Sequence, residues 1–209
     1  KMLTSMFSRS RRWLTRNARA SVTTYRLGVV TNRAFCGLGS AGMSERLTFP
    51  DNFLWGTATA AHQIEGNNTN SDWWRHEQTS GRVAEPSGDA TDSWHLYEVD
   101  LDIVQQLGLN SYRFSIEWAR IEPAEGQFST ATLMHYRRVL TACHSRGLVP
   151  VVTLHHFTLP QWVADAGGFE SPQIAYWLGR YATTVGAALG DLIGVGCTIN
   201  EPNIVSVMG

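Results

Sequence analysis

The stretch SYRFSIEW, Ser111–Trp118, decides the fold. Tyr112, Phe114, Ile116 and Trp118 share one face of an extended chain, and Arg113, Ser115 and Glu117 share the other. That alternation marks a strand with one apolar and one polar side. Upstream, Asp92 opens a helix in which Tyr97, Leu101, Val104 and Leu107 keep a 3.6-residue period, and Gly108 stands where a glycine closes it. Downstream, a helix from about Thr130 carries the stripe Leu133, Tyr136, Leu140 and Cys143 and ends at Gly147. Val149–Leu154 is apolar on both faces, as a central parallel strand should be.

Ser171-Pro172 reads as an N-cap followed by proline at the first helical position. Ile174, Trp177, Tyr181, Val185 and Leu189 supply that helix's apolar stripe, and Gly190 lies near its end. Val195–Ile199 is a fourth strand. Working back to the N-terminal side, Phe53–Ala58 reads as a short buried strand, and residues 65–91 as a polar loop punctuated by Gly66, Gly81, Pro86 and Gly88. The order is β-α-β-α-β-α-β with crossovers of helical length. Such an order predicts a parallel sheet with right-handed crossovers.

Composition narrows the class. Of 209 residues, 43% are hydrophobic and 17% charged, which supports a packed core and excludes global disorder. A formal net charge of −1 gives no whole-chain field for nucleic acid or an anionic membrane, and no apolar run is long enough to span a bilayer. The charge is unevenly placed. Residues 1–43 hold eight basic and no acidic residues, leaving nine of the 17 basic and all 18 acidic residues to 44–209. Residues 1–43 are therefore expected to be a disordered leader, or sequence upstream of a start at Met43, dispensable for the fold. An Arg-rich, acid-free leader also fits an organelle-targeting peptide; otherwise the expected location is the cytoplasm. Cys36, Cys143 and Cys197 show no CxxC or Cys/His spacing, so no zinc or redox motif is implied.

The strand ends carry the chemistry. The first strand runs into Gln63-Ile64-Glu65-Gly66, the second carries Arg113 and ends at Glu117-Trp118, the third ends at His155-His156-Phe157, and the fourth at Asn200-Glu201-Pro202. Polar and titratable groups thus gather at one rim, which in a (β/α)8 barrel is the active-site face.

Four segments, FPDNFLWGTATAAHQIEG (Phe49–Gly66), YRFSIEWARIEPAEG (Tyr112–Gly126), VTLHHFTLPQW (Val152–Trp162) and TINEPN (Thr198–Asn203), resemble those of family 1 glycoside hydrolases, the β-glucosidase group, in the family's order. The resemblance implies a (β/α)8 TIM barrel of which residues 44–209 supply about the first four βα units. It also implies retaining hydrolysis of terminal β-linked glucose or a related sugar, with no metal or organic cofactor. By resemblance, Glu201 matches the general acid/base, which protonates the glycosidic oxygen and later deprotonates water. Asn200 matches the residue that bonds the sugar 2-hydroxyl, Gln63 and His156 match residues that grip the glycone, and Arg113 matches an arginine that supports the nucleophile by charge. The residues alone allow blander roles: a turn asparagine, a capping glutamine, and an Arg113–Glu117 ion pair on one strand face.

Two departures stand out. The family usually reads His-Trp-Asp-Leu-Pro where this chain has His156-Phe157-Thr158-Leu159-Pro160, and Glu117 stands where many members have a small polar residue. Phe157 keeps an aromatic surface for a sugar, Thr158 can serve as an N-cap, and Glu117 is expected to have no catalytic role. The family's nucleophile, a Glu in a Thr/Ser-Glu-Asn-Gly context, is not in this sequence. The chain is therefore expected to be a fragment of a longer enzyme and inactive alone, since retaining hydrolysis needs two carboxyl groups about 5–5.5 Å apart. The alternatives are a non-catalytic sugar-binding half-barrel and a different barrel glycosidase acting on polysaccharide.

Overall fold

A computed structural model describes residues 48–208. The basic leader and the boundary drawn at Met43 lie outside the described residues. Four parallel strands form one sheet in the order β1 (Gly56–Ala58), β2 (Ser111–Ser115), β3 (Val149–His155) and β4 (Val195–Ile199). The register pairs Ala58 with Arg113, Ser115 with Thr153, and His155 with Ile199, so the strand ends arrive at a common rim.

The helices in chain order are α1 (Ala61–Ile64), α2 (Asp72–Thr79), α3 (Ser93–Gln106), α4 (Trp118–Ile121), α5 (Thr130–Ser145), α6 (Gln161–Asp165), α7 (Ile174–Leu189) and α8 (Pro202–Met208). A 3₁₀ turn at Gly168–Glu170 precedes α7. Leu101 and Val104 of α3, Tyr136, Leu140 and Cys143 of α5, and Tyr181, Val185 and Leu189 of α7 are buried in one core with Tyr112, Phe114, Ile116 and Val152. The apolar face predicted for Ser111–Trp118 is thus the face the helices cover. Its polar face is enclosed too, since Ser111, Ser115 and Glu117 are buried. Among the described residues, no helix is long and apolar enough to cross a membrane.

Four local expectations need correction. Phe53–Ala58 is not a buried strand: β1 begins only at Gly56, and Phe53, Leu54 and Trp55 are exposed. Among the described residues β1 is an edge strand, so the rings that precede it have no second sheet neighbour. Phe53 and Trp55 pack instead on Phe49, with ring centroids 4.6–4.7 Å apart. Residues 65–91 are not all loop. Ser71 caps α2 by accepting from Trp74 N, a local bond that starts a helix lacking any buried stripe. The helix assigned to Ser171-Pro172 starts at Ile174, because Ser171 Oγ accepts from Gln173 N and makes a turn rather than a cap. The helix after Thr158 begins at Gln161, with Pro160 before it, so Thr158 is not its cap.

Gly66 shapes the loop after β1. Its φ is +78°, and a Cβ there would lie 2.1 Å from Asp89 O. Only glycine meets both demands, so residues 67–91 fold back against the strand end.

Candidate active site

Arg113 points from β2 across the rim. Its Nε donates to Thr153 Oγ1 at 2.9 Å and its Nη2 to Asn200 Oδ1 at 2.7 Å. The ion pair with Glu117 that the shared strand face allowed is not made among the described residues. Asn200 is buried, and its backbone N donates to His155 O at 2.9 Å. With its oxygen committed to Arg113, the Asn200 side chain offers a ligand the two N–H bonds of Nδ2.

His156 follows β3. Burial first, and then the charge of Arg113, push its pKa down to about 4, so the ring is neutral at ordinary pH, one nitrogen donating and the other accepting. Burial and His156 push His155 down to about 4 as well. His155 is enclosed and edge-on to Phe169 at 4.9 Å, the more structural member of the pair. Phe157 has φ +69°, rare for a residue with a bulky side chain. Its ring meets His156 edge-on at 5.2 Å.

Glu201 has φ +46° and its side chain is exposed. Its carbonyl accepts from Ile204 N at 2.8 Å and Val205 N at 3.2 Å. The enclosure expected of a general acid is thus not supplied by the described residues. Gln63 is exposed on α1, which is anchored by Ala61 N donating to Ser115 Oγ at 2.7 Å. The structure therefore joins Arg113 and Asn200 directly, with His156 near enough to Arg113 to feel its charge. It sets Gln63 and Glu201 at the same rim, on the strand ends either side.

Beneath the rim lies a buried polar layer that the sequence reading missed. Glu117 Oε2 accepts from Asn68 Nδ2 at 2.8 Å, Oε1 accepts from Ala119 N at 3.1 Å, and Thr158 Oγ1 lies 3.1 and 2.9 Å from the two oxygens. Burial raises the pKa of Glu117, against these donors. Asn68 Nδ2 also reaches His62 Nδ1 at 3.2 Å, so Nδ1 accepts and Nε2–H donates to Glu77 Oε1 at 2.9 Å. Tyr136 OH donates to Glu65 Oε1 at 2.8 Å and accepts from Glu117 N at 2.9 Å. Burial lifts Glu65 to about 7 even though Arg120, whose Nε is 2.9 Å from Oε2, pulls it down. Asp72 Oδ1 accepts from Leu159 N at 2.9 Å, and burial lifts that carboxyl to about 6. These bonds tie the β1 loop to the β3 loop. The one legible hint was Glu117 on a strand face with Ser115.

Beside the rim, a cleft of about 450 Å3 opens among Trp73, Phe157, Phe169, Ile204 and Val205, with His155 and Asp72 in its wall. Among the described residues, no group of His, Cys, Asp and Glu has the arrangement to hold a metal ion.

Comparison with known proteins places this geometry. The family described as glycosyl hydrolase family 1 matches residues 45–209. Beta-glucosidase A of Acetivibrio thermocellus is 38% identical over 172 residues, covering 78% of this chain and 38% of its own length. Among solved structures, the β-glycosidase BGL167 is 56% identical with a TM-score of 0.74, over 77% of this chain and 39% of its own. The beta-glucosidase from Thermotoga maritima in complex with castanospermine is 34% identical with a TM-score of 0.72, over 77% and 38%. The chain thus spans about 38% of the length of the curated relative. The sheet is the corresponding part of a TIM barrel. Since the family match runs through all four strands and the rim they build, the chain belongs to glycosyl hydrolase family 1.

Proposed function

We propose that these residues supply the first part of the catalytic domain of a retaining β-glycosidase, acting on terminal β-linked glucose or a related sugar. Glu201 is the acid/base. It gives its proton to the glycosidic oxygen as a carboxylate from the remainder of the domain attacks the anomeric carbon and the alcohol leaves. Glu201, now ionised, takes a proton from water, whose oxygen attacks the same carbon and frees the nucleophile. Asn200 Nδ2 bonds the 2-hydroxyl, where the interaction strengthens in the oxocarbenium-like transition state. Neutral His156 and the exposed Gln63 bond the other glycone hydroxyls, and Arg113 supports the nucleophile by charge.

One observation carries the reading. The Arg113–Asn200 bond spans 87 residues and brings together at the rim two residues assigned from separate segments, leaving the asparagine amide hydrogens for a ligand. That the similar proteins carry the name β-glucosidase supports the sugar class.

The test uses the complete family domain. Glu201→Gln should lower turnover of unactivated glucosides by ~10²–10⁴-fold. Aryl glucosides with good leaving groups should lose less at the first step. Added azide should then yield the β-glycosyl azide, since an anion needs no general base. Equal losses on both substrates would remove Glu201 from the acid/base role.

A further inference from the structure

We propose that Glu117 is a positioning residue for the sugar pocket: its carboxylate clamps the β3 loop at Thr158 to the β1 loop at Asn68, and so sets His156 and Gln63. The proposal rests on the glycosidase reading above and adds a residue to it.

Three donors from three chain segments converge on this one carboxylate. Ala119 N comes from its own turn, Asn68 Nδ2 from 49 residues upstream, and Thr158 Oγ1 from 41 residues downstream. Glu117 is 1% exposed. A carboxylate so enclosed is costly to hold unless its lone pairs are met, so the donors and the acid hold one another in place.

The clamp lies two residues from one proposed sugar contact and reaches the neighbour of the other through Asn68. Asn68 Nδ2, which bonds Glu117, also bonds His62, the neighbour of Gln63 on α1. Thr158 stands two residues after His156, with only Phe157 between them. Phe157 is the residue at φ +69°. A left-handed conformation is unfavourable for a non-glycine residue and persists only where its surroundings fix it. Here it is fixed on both sides. Asn200 N holds His155 O before it, and Glu117 holds Thr158 after it. Freed from Glu117, residue 157 can relax to an ordinary conformation, and the His156 ring moves with the peptide.

The experiment uses the complete domain and four variants. Thr158→Val keeps the shape and removes the donor. Thr158→Ser keeps the donor. Glu117→Gln replaces one acceptor oxygen with a donor amide, and the fourth combines Glu117→Gln with Thr158→Val. KM and kcat on an aryl β-glucoside and the Kd for castanospermine are measured, with thermal unfolding of each. A displaced pocket group of this kind weakens function by ~10- to 100-fold. Thr158→Val and Glu117→Gln should each raise KM and Kd to that extent, with kcat on the activated substrate changed far less. Thr158→Ser should match wild type, and the double variant should be no worse than Glu117→Gln alone. A folded Thr158→Val with unchanged KM and Kd, a Thr158→Ser as poor as Thr158→Val, or losses that multiply in the double variant would overturn the clamp. A wild-type protein that neither hydrolyses the glucoside nor binds castanospermine overturns the glycosidase reading, and the clamp with it. An active wild type with insensitive variants overturns the clamp alone.

Discussion

Replacing Tyr136 by Phe removes a single oxygen and tests the layer under the rim. The ring stays, so no cavity opens and the core of α5 keeps its packing. The hydroxyl, however, is enclosed, and it serves two groups. It donates to Glu65 Oε1 at 2.8 Å and accepts from Glu117 N at 2.9 Å. Both partners are buried. An enclosed polar group left without a partner costs about 1–3 kcal/mol, so Tyr136→Phe should destabilise the domain by about 2–5 kcal/mol. The loss should grow with pH. Glu65 already sits at about 7, mainly through burial, and the tyrosine bond is one of the influences holding it down. Without that bond its pKa rises further. A raised carboxyl gives stability that is full below the unfolded value and drains away as pH climbs through the folded one. In the variant the drain continues to higher pH, so the gap from wild type is wider at pH 8.5 than at pH 5.5. Urea unfolding of the complete domain at both values measures this. A difference below ~0.5 kcal/mol would mean that the hydroxyl does not bridge the two loops.

Glu65→Gln removes the titrating group itself. A rise from the ordinary 4.5 to about 7 corresponds to about 3 kcal/mol lost by wild type as pH climbs through that window, and the amide variant should lack this component in the same urea series. Gly66→Ala should cost at least about 2 kcal/mol, because alanine must hold a left-handed backbone. Its Cβ would also lie 2.1 Å from Asp89 O, so hydrogen exchange should show lost protection confined to residues 67–91 before the rest of the sheet opens.

What could be read from sequence follows from the range of the forces. β2, β3, α3, α5 and α7 each bury a regular apolar pattern, and pattern is local to the segment that carries it, whereas β4 is a strand with no buried residue. β1 misled because Phe53-Leu54-Trp55 is apolar enough for a core, yet it lies on the sheet's edge, where apolar residues pack on one another. α2 was hidden for the opposite reason. Trp73, Trp74, Arg75 and His76 follow one another without a stripe, and its start depends on one Ser71 bond. Gln63, His156, Asn200 and Glu201 were assigned through their motifs at strand ends, while the Arg113–Asn200 bond that orients the asparagine needed the fold. Glu117 could not be given a role from sequence at all, because its partners lie 49 and 41 residues away and one of them, Thr158, had a plausible local use as a cap.

The rim therefore has two tiers with different dependence on the rest of the domain. Glu65, Asp72 and Glu117 draw their partners from residues between His62 and Leu159, within the first three strands and their loops. Each is a carboxyl group held by a chain segment other than its own, and burial raises all three. Loops that leave separate strands have no backbone ladder between them, so side-chain bonds must supply the registry that a sheet supplies by itself. Carboxylates suit this task because one side chain accepts from several donors at once. Glu201 belongs to the other tier. It stands at the end of β4, which has an exposed flank, and its side chain meets solvent. A general acid works in an enclosed setting, and in the role proposed for Glu201 that enclosure would come from whatever packs against β4. The partners of the three buried carboxyl groups thus all lie within the described residues, whereas the acid/base role proposed for Glu201 rests on contacts beyond the β4 edge.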